Sequence, residues 1–71
     1  MNNRYVYVGL QRRMDQTEWT VITRPYEMKH HAKLKFPKDM QWVPDEKLWY
    51  DNRTGYCYKV QRSGEVWEDV E

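Results

Sequence analysis

The chain has 71 residues, of which 32% are charged, with a net charge of +1 and a single cysteine. That length allows one small domain, spanning 1–71, with a marginal core. The near-neutral balance excludes a bulk polyelectrolyte partner such as non-specific duplex DNA, and one thiol permits neither an internal disulfide nor a zinc centre.

No apolar run is long enough for a membrane span or a signal peptide. Small extracellular chains usually carry disulfides, so the expected location is cytoplasmic, with no membrane partner. Aliphatic residues are few, whereas four Trp, six Tyr and one Phe are present. Each ring can bury roughly 150–250 Å², so aromatic packing is expected to supply most of the core. Charge is unevenly placed. Arg24, Lys29, Lys33, Lys35 and Lys38 face only Glu27 within 24–38, whereas 64–71 is an acidic C-terminal segment with Glu65, Glu68, Asp69 and Glu71 and no base.

The first predicted strand is RYVYVGLQRR, residues 4–13, with Val6, Val8 and Leu10 alternating against Tyr5 and Tyr7. MDQT follows as a hairpin tip, and EWTVITR returns as a second strand rich in β-branched and aromatic residues. A tip at Asp15 and Gln16 sets Leu10 opposite Val21, Arg13 opposite Glu18 and Gly9 opposite Ile22. One face then holds Val6, Val8, Leu10, Trp19 and Val21. Tyr5, Tyr7 and Ile22 hold the other. Gly9 reads as a bulge.

Residues 26–36, YEMKHHAKLKF, lie between two prolines. Read in steps of two, Tyr26, Met28, His30, Ala32, Leu34 and Phe36 share a side opposite Glu27, Lys29, His31, Lys33 and Lys35. A helical wheel scatters the apolar residues. Composition nonetheless favours helix, since Glu, Met, Lys, Ala and Leu are good helix formers. The alternation is preferred here, because a coherent buried face outweighs a few tenths of a kcal/mol per residue of propensity. Residues 37–47 read as a connection, broken by Pro37 and Pro44, with room for one helical turn near 38–42.

A C-terminal meander follows. LWYDNRTGYCYKV, residues 48–60, is a hairpin whose DNRTG tip offers Gly55 for a positive φ. Ser63 and Gly64 form a second turn that would pair Val60 with Trp67 and Lys59 with Glu68. The predicted fold is thus mainly β: a small antiparallel sheet or partly open barrel of five to six short strands. The alternative is α+β, ββαβββ, with a helix at about 25–36.

Residues 48–60 with the later EVWEDV also resemble a WW domain over about twenty residues, through an aromatic pair, a polar turn containing Thr-Gly and a later Trp. Three departures stand against it. Trp67 follows the aromatic pair late, a Ser-Gly turn intervenes, and no proline follows Trp67. No proline-rich ligand is carried over.

No catalytic motif is present: no nucleophile elbow, phosphate loop or spaced histidine pair. The chain therefore reads as a non-enzyme without a cofactor. His30 and His31 would point to opposite faces of a strand and could not share one metal ion; the plainer reading puts one at a core edge and one in solvent. Lys29, Lys33 and Lys35, with His31, form a basic stripe that either solubilises an edge or contacts phosphates. Tyr5 and Tyr7 are candidate stacking rings. Trp42 and Trp49 are core residues or, where exposed, interface anchors. Trp67 is expected to pack on Val60.

The function expected from these features is a small binding module that contacts a larger protein partner, as inhibitors and adaptors of mobile elements do. Single-stranded RNA or DNA binding is the alternative, and a homodimer or a structural subunit of a homo-oligomer is compatible with the size.

Overall fold

A computed structural model describes residues 5–63 and 67–70. Their order is β1 (Tyr7–Arg13), β2 (Thr20–Val21), α1 (Lys29–Ala32), β3 (Gln41–Val43), β4 (Leu48–Asp51), β5 (Tyr56–Arg62) and β6 (Glu68–Val70). All strands pair antiparallel in one sheet of order β2-β1-β5-β4-β3. β5 is the spine. β1 runs along its whole length on one side, while β4 and β6 share the other, β4 against Tyr56, Cys57 and Tyr58 and β6 against Val60, Gln61 and Arg62. The sheet is open and not closed into a barrel. Extents of 43 × 22 × 20 Å make the molecule elongated.

The first hairpin takes the expected register, with Leu10 opposite Val21 and the Ile22 amide donating to the Gly9 carbonyl at 2.9 Å. Its ladder stops at Gln11 and Thr20, short of the expected Arg13–Glu18 pair; Arg13 lies 3.8 Å from Asp15 instead. The DNRTG tip also forms as expected, and Gly55 has φ 79°. Asp51 is the residue that shapes it. Its buried carboxylate accepts from the Arg53 amide and the Thr54 hydroxyl, both at 3.0 Å, and its carbonyl accepts from the Gly55 amide at 2.8 Å. A buried carboxylate with no partners would be costly; here each oxygen has one, and the loop is fixed by that requirement.

Four expectations are corrected. Residues 26–36 are not a strand. Tyr26 makes one bridge to Tyr7, and the chain then turns into the single helical turn α1. The supposed dry side is broken, because Met28 and Leu34 are 50% and 72% exposed while Ala32 and Phe36 are buried. Ala32 and Phe36 are four residues apart, which is helical spacing. The alternation in the letters is thus accidental, and the helix-forming composition prevails over a single turn. Second, the connection 37–47 contains a strand, β3, and no helical turn. Trp42 pairs with Trp49, and Lys47 takes φ 54° at the end of the β3–β4 loop, as Gly55 does after β4. Pro44 sits in that loop, so it ends the strand without interrupting it.

Third, the last hairpin is shifted by three residues. Val60 pairs with Val70 and Arg62 with Glu68. Arg62 meets the Glu68 carboxylate at 2.6 Å, and Lys59 meets Asp69 at 3.0 Å. The expected turn includes Gly64, which lies outside the described residues, as do 64–66 and Glu71 of the acidic segment and Arg4 of the first predicted strand. Fourth, Gly9 marks no bulge against β5, where the ladder runs unbroken from Tyr7–Arg62 to Arg13–Tyr56; on the β2 side regular pairing ends at Leu10–Val21 and is met again only at the Tyr7–Tyr26 bridge. Gly9 is needed for close approach. A Cβ there would lie 2.7 Å from the Ala32 carbonyl oxygen and 2.8 Å from Phe36 Cε1.

The two faces of the sheet differ. Tyr7, Gly9, Tyr58, Val60, Trp49 and Trp42 fall on one face by alternation and register. Ala32 and Phe36 seal it, and Ile22, Tyr26, Met40 and Val70 pack around them. Val8, Leu10, Cys57 and Leu48 fall on the other, all buried, with Lys59 between Leu10 and Leu48. Trp19 lies across this face. The Lys59 ammonium and the Arg12 guanidinium sit 4.5 and 4.9 Å from its ring centre. The Cys57 thiol donates to the Met14 sulfur at 3.2 Å. Burial pushes that thiol up, against the lowering charge of Arg12 and with a further raising contribution from Glu46.

Gly9→Ala tests the seal. Because one clashing atom belongs to the backbone, the substitution should cost about 1–3 kcal/mol, the range for overpacking, read as a lower urea midpoint at unchanged slope. An unchanged midpoint would mean that residues 32–36 do not lie on β1.

Asp69 sets a pH window. Burial would raise its carboxyl, but hydrogen bonds from Gln61 and Lys59, the Lys59 charge and the Lys47 charge outweigh it, so the net shift is downward. The folded value lies below the unfolded one of about 3.9, so the β5–β6 clip contributes stability above that pH. That contribution is lost as pH falls through the folded value. On acidification below pH ~4 the wild type should lose more stability than Asp69→Asn; parallel curves would show that the clip does not form.

Candidate protein-contact cleft

Three surface hollows stand out among the described residues. The widest of the three, about 400 Å³, follows the first hairpin from Asp15 to Thr20 and is lined only by exposed residues. It buries nothing and offers a ligand no wall. The second, about 330 Å³, lies on the Trp19 side of the sheet among Val8, Val21, Thr23, Pro25, Gln61 and Trp67. The third, about 280 Å³, lies on the sealed face among Lys33, Phe36, Pro37, Lys38, Met40 and Trp49.

The 280 Å³ cleft is built by the chain reversal after α1. Phe36 folds back onto Tyr58, ring centres 5.0 Å apart, and becomes the floor. Pro37 turns the chain outward, and Met40 leads into β3. β4 presents Trp49 across the gap from its position opposite Tyr58. Trp42, opposite Trp49 in the ladder, braces it with ring centres 5.1 Å apart and planes at 58°. Lys33 holds its ammonium 5.5 Å from the Trp49 ring centre, and Lys38 is exposed at the rim. The result is an open apolar slot with two lysines at its mouth, one of them placed by a cation–π contact.

The residues singled out from sequence are distributed as follows. Lys33 and Trp49 line the cleft, and Trp42 supports it. Lys29 and Lys35 are exposed on the same segment but share no strand face with Lys33, so the basic stripe does not exist as drawn. His31 is half-buried with its ring 5.9 Å from Tyr26, whereas His30 is exposed. One histidine thus stands at a core edge and one in solvent, but the two do not point to opposite faces: their ring centres are 4.2 Å apart. No group of three or more His, Cys, Asp or Glu side chains able to hold a metal occurs among the described residues.

Tyr5 and Tyr7 lie at the far end of β5, beside Arg62. Arg62 covers the Tyr5 ring at 4.5 Å, and Tyr7 is held by two backbone hydrogen bonds to Tyr26. They do not join the lysines of the cleft. Trp67 does not pack on Val60; it is 46% exposed and lines the hollow on the opposite face. Sequence reasoning missed Phe36, Pro37, Lys38 and Met40. The signal for Phe36 was its helical spacing from Ala32. Met40 carried none, being a lone apolar residue in a polar connection.

Trp42→Ala removes the brace. An aromatic pair is worth about 0.5–1.5 kcal/mol beyond its buried area, so the urea midpoint should fall and the fluorescence of Trp49 should shift to the red. If neither changes, the two rings are not in contact. No helix among the described residues is long and apolar enough to cross a membrane. The chain matches no protein-family model, no curated protein and no solved structure.

Proposed function

We propose that the chain is a small non-enzymatic binding module, an inhibitor or adaptor, that contacts a larger protein partner through the Trp49 cleft. The observation that supports it is the open slot of Phe36, Pro37, Met40 and Trp49 on an otherwise closed face. Buried aromatic anchors set in such slots carry most of the energy of protein interfaces. Trp49 is held in place by Trp42 and by the ladder to Tyr58, so little ordering entropy remains to be lost on binding.

Single-stranded nucleic acid, the competing ligand, needs accessible ring faces beside a basic track. Here one face of the Tyr5 ring is taken by Arg62, the Tyr26 ring lies 5.1 Å from Arg24, and neither Tyr5 nor Tyr7 lines the cleft with Lys33 and Lys38.

Capture from host lysate tests the reading. Wild type should retain a specific protein that both Met40→Asp and Lys38→Glu release. Lys38 is exposed, so its substitution leaves the fold intact. Retention by both variants would refute the cleft as the contact. Micromolar binding of an oligonucleotide that falls steeply with log[salt] would favour nucleic acid instead.

A further inference from the structure

We infer that the cleft takes an acidic segment of a protein, one that inserts a single aromatic or long aliphatic side chain between Met40 and Trp49. This rests on the reading of the cleft as the protein contact and adds the chemistry of what fills it.

Three observations carry the inference. The first is charge. Residues 29–38, which form α1 and the wall of the cleft, hold Lys29, Lys33, Lys35 and Lys38, two histidines and no acid. Lys29, Lys35 and Lys38 are exposed, and Asp39 is the first acid to follow. Lys33 and Lys38 line the opening itself, and Lys29 and Lys35 are exposed on the same short segment, so in a chain that is nearly neutral overall lysines are concentrated on the segment that walls the apolar opening. The second is size. A volume of about 280 Å³ equals roughly nine waters at ~30 Å³ each. That suits one large side chain and is too small for the face of a helix.

The third is the nature of the walls. Phe36, Met40 and Pro37 offer an adaptable apolar lining, and a thioether readily reshapes around an aromatic guest. Nucleobases are poorly served. The segment 29–38 contains no Arg, the residue whose planar fork reads bases and phosphates.

The two parts of the site have separate duties. Each exposed lysine adds up to about 1 kcal/mol to affinity, and less as salt rises. They speed encounter and reject basic partners, because like charges at a rim are repelled. The inserted side chain supplies the rest of the affinity.

The probe is a capped pentapeptide with phenylalanine at its centre and two carboxylates on each side. It is titrated into the full chain, with the Met40 methyl and the Trp49 indole N–H followed by NMR. Both resonances should move and saturate. Raising salt from ~0.1 M to ~1 M, where the Debye length falls from about 10 Å to about 3 Å, should weaken binding by about tenfold. A glycine-centred peptide should bind at least about tenfold more weakly, in keeping with loss of one buried aromatic anchor. The double variant Lys35→Glu/Lys38→Glu, exposed at both positions, should prefer the same peptide with lysines in place of the carboxylates.

The inference is overturned if the lysine peptide binds wild type as tightly as the acidic one. It is also overturned if neither resonance moves up to millimolar peptide, or if an oligothymidylate displaces the acidic peptide at the same probes. Should the peptide fail while Met40→Asp and Lys38→Glu still release a lysate protein, the contact stands and only its acidic chemistry falls.

Discussion

One close approach organises this small fold. The backbone of α1 reaches the sheet at Gly9, where the Ala32 carbonyl and the Phe36 ring occupy the space a side chain would take. A sheet with one uncovered aromatic face would not hold together in a domain of this size, because too little apolar surface leaves water. The segment 29–36 covers that face with two residues, Ala32 and Phe36, and it can do so only where β1 is bare. The ring of Phe36 then meets Tyr58, the rest of the core gathers around the pair, and the chain leaves at Pro37 toward β3. The cleft is a by-product of this packing. It opens where the covering segment stops, between Pro37, Met40 and Trp49.

The other face is solved differently. No helix among the described residues lies on it. Its centre is a cation, Lys59, whose stem lies between Leu10 and Leu48 and whose head meets Asp69 and the Trp19 ring. A lysine in this position shields hydrocarbon while keeping its charge near water. The face therefore needs neither a second sheet nor a helix to be tolerated in solvent. Six cation–π contacts among the described residues show the same economy elsewhere. Rings too few in aliphatic neighbours are covered by guanidinium and ammonium groups.

The parts of this structure that could be read from the letters are those fixed by short-range pairing. Leu10 opposite Val21, Ile22 opposite Gly9, the DNRTG loop and the positive φ of Gly55 all follow from turn chemistry and cross-strand partners within a few residues of each other. What could not be read was decided at long range. The alternation in 26–36 imitates a strand, and only the distant Gly9 makes the helical turn the better solution. Likewise the last hairpin offered an apolar pair and an opposite-charge pair in the wrong register. The observed one, three residues away, offers Val60–Val70, Lys59–Asp69 and Arg62–Glu68 together. Of the cleft, Trp42, Trp49 and Lys33 were visible as residue types. Their convergence with Met40 and Lys38 depends on the reversal after α1, which no local pattern announces.

Cys57 gives the molecule a built-in clock. Its sulfur sits wholly enclosed near the start of the central strand, under Met14 and opposite Arg12 in the long ladder. Alkylating reagents can reach it only when the Met14 side chain above it or the ladder beside it moves aside. The speed at which the sulfur is modified under native conditions therefore measures how often this corner of the sheet opens, with no engineered label.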